Sequence, residues 1–433
     1  MRFLQLLISL TLSLVCCTQP VLAFCGFYVA KADTQLYNQA SQVIIARDRE
    51  RTILTMANDY QGEVQDFALV VPVPVILEPE QVRVGNDVIL QRLDAFSAPR
   101  LVEYFDNNPC DTRVYSREME LDAAPPSVAE ESTGRNSLGV TVERSFTVGE
   151  YDILILSAED SGGLETWLKQ NGYQIPAGAS EILHPYIRQN LKFFVARVNL
   201  AEYAATGFQS LRPLMIAYES PQFMLPIRLG MVNAQESQEL IVYLLSPQGQ
   251  VQLTNYRTVK IPSEVELPEF VQEEFNDFYT SMFTNSYLQE NRNIGVLEYA
   301  WNMTWCDPCA ADPLTQEELK QAGVFWLDSQ PDVFITRLHL RYTRDKFPED
   351  LRFQDTGNQE LFQGRYIIRH PYTGTIDCDL GKSYPQEVRN RQETEAETLA
   401  KLTGWDVNEI RSKINFFEVN TESNQPWWRE FWD

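Results

Sequence analysis

The sequence predicts an α+β fold whose N-terminal and middle parts are rich in strands and whose C-terminal part is helical. Short runs of alternating or continuous apolar residues, such as Ser41–Arg47 and Val333–Tyr342, are typical of strands. Longer stretches towards the C-terminus, Leu267–Leu288 and Glu387–Leu402, place apolar residues at helical spacing. With 44% hydrophobic and 12% aromatic residues among 433, the chain has enough apolar surface for two or three domains or subdomains.

Residues 1–23 have the organisation of a secretory signal peptide. Arg2 precedes an apolar run that extends to Val15, and Ala23 provides the small residue that a signal peptidase reads. We therefore expect cleavage near Ala23 and a soluble, extracytoplasmic mature chain, either periplasmic or secreted. Phe24 stands before Cys25, where a lipoprotein signal needs a small residue, so a lipid anchor is disfavoured. An uncleaved anchor helix is the alternative, although the apolar run is short for a membrane span.

The charge balance restricts the partners of the mature chain. The sequence has 60 acidic and 36 basic residues, which gives a formal net charge of -24. So acidic a protein repels polyanions, which excludes nucleic acid and anionic membrane surfaces as partners. No later apolar stretch is long enough for a transmembrane anchor. An envelope protein or a small-molecule ligand is the partner that we expect.

The first predicted subdomain, 24–117, consists mainly of strands. Its predicted strands are Ser41–Arg47, Arg51–Ala57 and Phe67–Leu77. Pro72 and Pro74 remove backbone donors from one side of the last strand, which favours an edge or a strand end. The apolar spacing then predicts a helical stretch over Asp87–Phe105, interrupted at Pro99.

A linker or surface loop is predicted at 118–137, because this segment lacks apolar periodicity and contains Pro125-Pro126. It leads into a middle α/β subdomain, 138–262. The predicted strands are Leu138–Val148, Tyr151–Ser157, Leu191–Leu200, Leu211–Tyr218, Gln222–Val232, Glu239–Leu245 and Val251–Ile261. The predicted helices are Gly162–Asn171 and Ser180–Gln189.

The third predicted subdomain, 263–433, begins with the helix at Leu267–Leu288 and contains a pair of cysteines. Its predicted strands are Ile294–Trp301, Val333–Tyr342 and Leu361–Arg369. Thr315 and Glu318 have the spacing of a capping box at the start of a short helix. Two terminal helices follow, Glu387–Leu402 and Asp406–Ile414, and then a tail rich in tryptophan.

Five cysteines remain once residues 1–23 are removed with Cys16 and Cys17. In an oxidising compartment they are disulfide candidates, and an odd number allows two internal bridges at most. The sequence does not fix the pairing. The five candidates are Cys25, Cys110, Cys306, Cys309 and Cys378.

The motif Trp305-Cys306-Asp307-Pro308-Cys309 has three interpretations. The first is a structural disulfide. The second is a thiol–disulfide redox pair in which Cys306 attacks and Cys309 resolves, although Asp307 disfavours the Cys306 thiolate. The third is a weak metal site that adds His370 and Cys378, with a spacing that is long for a compact zinc motif.

Other catalytic chemistry has little support in the sequence. The chain lacks Gly-x-Ser-x-Gly, His-Glu-x-x-His and phosphate-binding glycine motifs, and we predict no cofactor. We interpret the three histidines, His184, His339 and His370, as packing or surface residues, with His184 and His370 at element ends because each precedes a proline. Acidic residues are so numerous that no pair of carboxylates stands out.

Several long segments resemble a bacterial exported family, catalogued as domain of unknown function 2330. They are CGFYVAKADTQLYNQASQVI, TMANDYQG, FALVVPVPV, RLDAFSAPRLVEYFDNNPC, LETWLKQNGYQIP, EYAWNMTWCDPC, YIIRHPYTG and LAKLTGWDVNEIRSKI. The resemblance extends from Cys25 to about Ile414. It implies a single coherent unit, and it brings no activity, cofactor or site residue to transfer.

These observations together predict an exported soluble protein, stabilised by disulfides, with a non-catalytic binding role or an envelope-associated structural role. The alternative is an extracytoplasmic thiol–disulfide redox protein that uses Cys306 and Cys309.

Overall fold

The computed structural model describes residues 27–30, 37–38, 41–57, 60–61, 67–110, 140–171, 179–206, 211–232, 237–306 and 311–418. The predicted signal peptide, the predicted linker at 118–137 and the tryptophan-rich tail lie outside these residues. Cys25 and Cys309 lie outside them as well.

The described residues confirm an α+β fold with a helical C-terminal part. The helices are α1 (Asp87–Ser97), α2 (Ser161–Gln170), α3 (Ala179–Arg188), α4 (Leu200–Thr206), α5 (Phe275–Gln289), α6 (Gln316–Gln321), α7 (Tyr384–Thr403) and α8 (Val407–Lys413). The strands are β1 (Phe27–Ala30), β2 (Tyr37–Asn38), β3 (Ser41–Asp48), β4 (Arg51–Met56), β5 (Tyr60–Gln61), β6 (Phe67–Val73), β7 (Val82–Val84), β8 (Arg100–Phe105), β9 (Val140–Val148), β10 (Tyr151–Ala158), β11 (Lys192–Val198), β12 (Leu214–Glu219), β13 (Met224–Leu225), β14 (Gln238–Ser246), β15 (Val251–Leu253), β16 (Arg257–Lys260), β17 (Val265–Leu267), β18 (Ile294–Asn302), β19 (Phe334–Tyr342), β20 (Leu351–Asp355), β21 (Phe362–Gln363) and β22 (Arg365–His370).

Two large sheets pack face to face. One has five strands in the order β1-β6-β11-β10-β9. The other has nine, with β16-β18-β19-β14-β3-β4-β12-β7 along its length and β21 beside β18. The largest apolar cluster fills the space between them, where Leu69 and Ile153 of the smaller sheet meet Val43 and Leu240 of the larger one.

Helices cover the outer faces of both sheets, which gives four layers. Alternate residues of one strand therefore enter different cores, as when Val43 packs between the sheets and Ile44 packs on the opposite side. Helices α2 and α3 cover the five-stranded sheet, and α1 covers part of the nine-stranded sheet. Helices α5, α7 and α8 pack on the end of the larger sheet that contains β16 and β18. Because β6, β11 and β14 are covered on both faces, they have nearly continuous apolar sequences.

Strands from all three predicted subdomains meet in the nine-stranded sheet. Segment 24–117 contributes β3, β4 and β7, and segment 138–262 contributes β12, β14 and β16. Segment 263–433 contributes β18, β19 and β21. These pairings join strands that are distant in sequence, so the three segments share hydrophobic cores.

The predicted helix over Asp87–Phe105 is wrong in its second half. Helix α1 ends at Ser97, and Arg100–Phe105 forms β8, which pairs in parallel with β22. Pro99 disfavours helical backbone at the preceding residue, and Ala98 is accordingly extended (φ -64°, ψ 146°). The apolar residues beyond the proline fit a helical stripe, but pairing with a strand from the C-terminal part determines their conformation.

Two predicted strands are shorter than expected. Within Gln222–Val232 only β13 is extended, and a 3₁₀-helix follows at Leu229–Val232, because Pro226 cannot donate to a ladder. Val251–Ile261 is divided into β15 and β16 by a turn. The short elements α4, β17 and β20 were not predicted from the sequence.

A disulfide joins Cys110, which follows β8, to Cys378, which precedes α7, across 268 positions of sequence. Cys306, which follows β18, is also disulfide-bonded. Its partner lies outside the described residues, since Cys110 and Cys378 are bonded to each other. Across the part of the chain that the structure describes, no helix is long and apolar enough to span a membrane.

Candidate binding cleft

A cleft of about 870 Å³ opens where the C-terminal end of α3 approaches the small sheet β13-β20-β15. Three arginines line it: Arg188 at the end of α3, Arg228 after β13, and Arg352 in β20. The lining also contains the carboxylates of Glu349 and Asp350. The volume is in the range of small-molecule sites in proteins.

Asp350 is the buried centre that organises this cleft, with only 4% of its surface exposed. Its Oδ1 atom accepts hydrogen bonds from the Tyr186 hydroxyl (2.6 Å) and from the backbone N–H groups of Ile227 (3.0 Å) and Arg228 (3.1 Å). Its Oδ2 atom accepts from Nε (3.0 Å) and Nη2 (2.6 Å) of Arg228. Both carboxylate oxygens are therefore occupied, and the buried charge is compensated within the protein.

These bonds fix the guanidinium of Arg228 at the cleft wall. The group lies over the Tyr186 ring, 4.7 Å from its centroid. Burial alone would lower the pKa of Arg228, but the hydrogen bonds to Asp350 outweigh it and raise the pKa. Arg228 also lines the cleft, so these contacts place an oriented guanidinium in its wall.

Arg188 and Arg352 complete the cationic lining. Both are exposed, and among the residues that the structure places neither forms an ion pair. The C-terminal position of Arg188 on α3 is favourable for a cation, because the helix carbonyls point towards it. With three arginines against two carboxylates, the lining has an excess positive charge in a protein whose net charge is -24.

One wall of the cleft is aromatic. The rings of Phe223 and Phe353 lie 5.2 Å apart, centroid to centroid. Arg47 packs against Phe223 from within the protein, with its guanidinium carbon 4.7 Å from the ring centroid. Arg47 is held by the Thr52 hydroxyl (2.7 Å) and the Ser220 carbonyl (2.9 Å). The ring of Phe223 therefore has a fixed support and an apolar edge in the cleft.

A second charged cluster lies on the nine-stranded sheet beneath α5. Glu298 of β18 has 1% of its surface exposed and accepts a hydrogen bond from Nε of Arg337 (2.6 Å). It also lies 2.7 Å from Nδ1 of His339, whose Nε2 lies 2.9 Å from Glu239. Arg337 extends the chain of charges to Asp94 of α1 at 2.6 Å. The cluster thus links β14, β18, β19 and α1 through alternating charges.

The electrostatics of this cluster favour the ionised forms of His339 and Glu298. Burial alone would lower the pKa of His339, but the carboxylates of Glu298 and Glu239 outweigh it and raise the pKa to about 9. Burial alone would raise the pKa of Glu298, but the charges of His339 and Arg337 outweigh it and lower the pKa to about 2. Both imidazole nitrogens face carboxylates, so His339 has no free nitrogen with which to accept a proton. The arrangement is that of a structural link between layers.

The other two histidines differ in position. His370 ends β22, as predicted, and its ring stacks on Phe105 with centroids 4.6 Å apart. His184 is exposed in the interior of α3, so the prediction that it lies at an element end is wrong. Pro185 is tolerated inside the helix because the adjacent apolar residues of α3 pack against the five-stranded sheet.

Of the predicted metal ligands, Cys306, His370 and Cys378 lie among the described residues, and Cys309 does not. No three His, Cys, Asp or Glu side chains of the described ranges are grouped so as to hold a metal ion. A site that uses Cys378 would require reduction of its bond to Cys110. His370 has Glu103 at 2.9 Å from Nε2 and Glu269 at 3.3 Å from Nδ1.

The sequence analysis missed the four charged residues of the cleft that matter most, namely Arg188, Arg228, Asp350 and Arg352. They come from separate parts of the chain, and none belongs to a recognisable motif. The charged stretch around Pro348 was the one indication of the cleft in the sequence, and such a stretch is typical of a solvated loop.

The layered sheets and helices define an α+β protein with an arginine-lined cleft beside its small sheet β13-β20-β15. The chain belongs to the bacterial family DUF2330, described as an uncharacterized protein conserved in bacteria, whose family model matches residues 19–354. All the cleft residues fall within the matched region. Searches of curated proteins and of solved structures gave no match.

Proposed function

We propose that this chain is an exported, disulfide-stabilised protein with a non-catalytic binding role, and that the arginine-lined cleft is its binding site. The observation that carries the proposal is the arrangement at Asp350, a buried carboxylate. Its Oδ2 atom orients the Arg228 guanidinium at the cleft wall, while its Oδ1 atom accepts from the Tyr186 hydroxyl and from two backbone N–H groups. Burying a charge is costly unless a rigid arrangement compensates it, and such preorganisation is typical of ligand sites.

The chemistry of the cleft favours binding over catalysis. A general base needs a free lone pair near its substrate, and the oxygens of Asp350 are occupied. Among the described residues that line the cleft there is no histidine or cysteine, and Glu349 is the one carboxylate besides Asp350. Guanidinium groups and phenylalanine rings bind and orient ligands without exchanging protons.

Export is supported by the signal-like organisation of residues 1–23 and by the chemistry of the cysteines. Disulfides persist in oxidising compartments, and the bond between Cys110 and Cys378 suits such an environment. The long sequence separation makes this bond a structural link between the N-terminal and C-terminal parts.

A fragment screen tests the binding role. We expect fragments that raise the melting temperature of the oxidised protein to lose their effect in Thr254→Trp, because an indole would occupy the cleft that Thr254 lines. Thr147→Trp is the matched control, since Thr147 is an exposed strand residue outside the cleft. The proposal fails if no fragment binds, or if both variants retain every hit.

The redox alternative is favoured by one observation, the disulfide-bonded Cys306 beside the partly exposed Trp305. Mass spectrometry of non-reduced peptides identifies its partner, which we expect to be Cys309. We expect this bond to titrate below about -300 mV, as structural disulfides do. A midpoint between about -270 and -100 mV would instead assign thiol–disulfide exchange to Cys306.

A further inference from the structure

We propose that the ligand of the cleft is a small organic anion, in which a carboxylate or phosphate group is joined to an aromatic or similarly flat apolar part. This inference rests on the proposed function, since it names the class of ligand for the same site. The anionic group would bind the arginines, and the apolar part would pack on Phe223 and Phe353.

Two of the cleft arginines differ from other arginines that pair with an acidic residue at the surface. Arg144 pairs with Glu78 at 2.6 Å, and Arg365 pairs with Glu264 at 2.7 Å. Acidic residues outnumber basic ones by 60 to 36, so an acidic partner is easily found for most cations. Arg188 and Arg352 nevertheless line one cleft without an acidic partner among the residues described.

The third arginine of the cleft, Arg228, is oriented by a buried carboxylate. Asp350 accepts hydrogen bonds from Nε and Nη2 of Arg228, so the guanidinium has a fixed orientation at the cleft wall. A planar guanidinium donor in a fixed position matches the oxygens of carboxylates and phosphates. The orientation exists before any ligand arrives, so the ligand does not bear the entropic cost of ordering this side chain.

The size of the cleft also favours a small ligand. A cleft of about 870 Å³ accommodates a molecule of drug size, and its aromatic wall supplies area for an apolar part. A long polyanion would extend over the rest of a surface whose formal net charge is -24 and would be repelled there. A small anion experiences mainly the local charge of the three arginines, because the Debye length is about 8 Å at physiological salt.

A pair of fluorescent probes separates the anionic requirement from the apolar one. The probes are 8-anilinonaphthalene-1-sulfonate and its uncharged counterpart N-phenyl-1-naphthylamine, which share the same rings and differ by the sulfonate. We expect the sulfonate probe to bind the oxidised full-length protein at least about tenfold more tightly than the uncharged probe.

Variants assign this difference to the cleft. We expect Arg352→Glu and Arg188→Glu each to weaken the sulfonate probe by at least about tenfold and to change the uncharged probe less than about twofold. Arg83→Glu makes the same change of charge at an exposed arginine outside the cleft, and we expect it to have no effect. Displacement of the sulfonate probe by benzoate or by phenyl phosphate then shows which anionic group the site prefers.

The outcomes distinguish the two proposals. If both probes bind equally, lose binding in Thr254→Trp and ignore the arginine variants, the anionic ligand is refuted while the binding role survives. If neither probe nor either competitor binds, or if Thr254→Trp leaves binding unchanged, both proposals are refuted.

Discussion

Replacing Glu298 by glutamine is expected to lower the free energy of unfolding by about 3–5 kcal/mol, because it leaves buried cations without their shared anion. Arg337 has 7% and His339 13% of its side chain exposed, so water cannot replace the lost carboxylate. The glutamine side chain has nearly the same volume as the glutamate that it replaces, which confines the change to charge and hydrogen bonding. Urea denaturation of the oxidised protein at pH 7 measures the difference.

The pH dependence of stability gives a second readout of the same substitution. The pKa of His339 is raised from 6.5 to about 9, so its contribution is complete below pH 6.5 and is lost as the pH rises through 9. The pKa of Glu298 is lowered from 4.5 to about 2, so its contribution is present above pH 4.5 and is lost as the pH falls towards 2. In the Glu298→Gln variant, the stability that Glu298 loses as the pH falls towards 2 should be absent. Most of the stability that His339 loses as the pH rises through 9 should be absent as well.

Glu78→Gln is the matched control for this experiment. Glu78 also pairs with an arginine at 2.6 Å, but both Glu78 and Arg144 lie on the surface, where water screens the pair. We expect this control to leave the free energy of unfolding unchanged within error. If Glu298→Gln behaved like the control, the cluster beneath α5 would not link the sheet to its helical layer.

Local signals in the sequence were sufficient for most elements of the fold. The helical spacing of apolar residues in α5 and their alternation in β19 agree with the way each element packs, so both could be predicted locally. The exception at β8 is instructive, because apolar residues after Pro99 fit both a helix and a strand. Pairing with β22, a strand from the distant C-terminal part of the chain, decided between them.

The charged sites were much less accessible from sequence. The alternation of Val333–Tyr342 places Arg337, His339 and Arg341 on one face of β19. Alternation does not reveal that α5 covers that face through Tyr279 and Phe283. Nor does it reveal that Glu298, in an otherwise apolar strand, contacts Arg337 and His339 there. The cleft is harder still, because it depends on the approach of α3 and β20, and no local pattern encodes that approach.

The second large effect is expected from removing the disulfide between Cys110 and Cys378 by substituting both residues with serine. The closed loop spans 268 positions, and cross-links of such length restrict the unfolded chain most. We expect the free energy of unfolding to fall by about 4–5 kcal/mol, measured by urea denaturation without reductant. Changing both cysteines avoids a lone thiol that could form mixed disulfides.

Reduction of the unmodified protein provides a second comparison, because dithiothreitol opens this bond without a substitution and opens the Cys306 disulfide as well. We expect hydrogen exchange in the double variant to accelerate in β8 and α7, which flank the two cysteines, before it accelerates in β14 at the centre of the larger sheet. This order follows because β8 is the edge strand of a three-stranded sheet. Wild-type stability in the double variant would show that the packing of α5, α7 and α8 alone holds the C-terminal part, and the case for maturation in an oxidising compartment would lose its structural support.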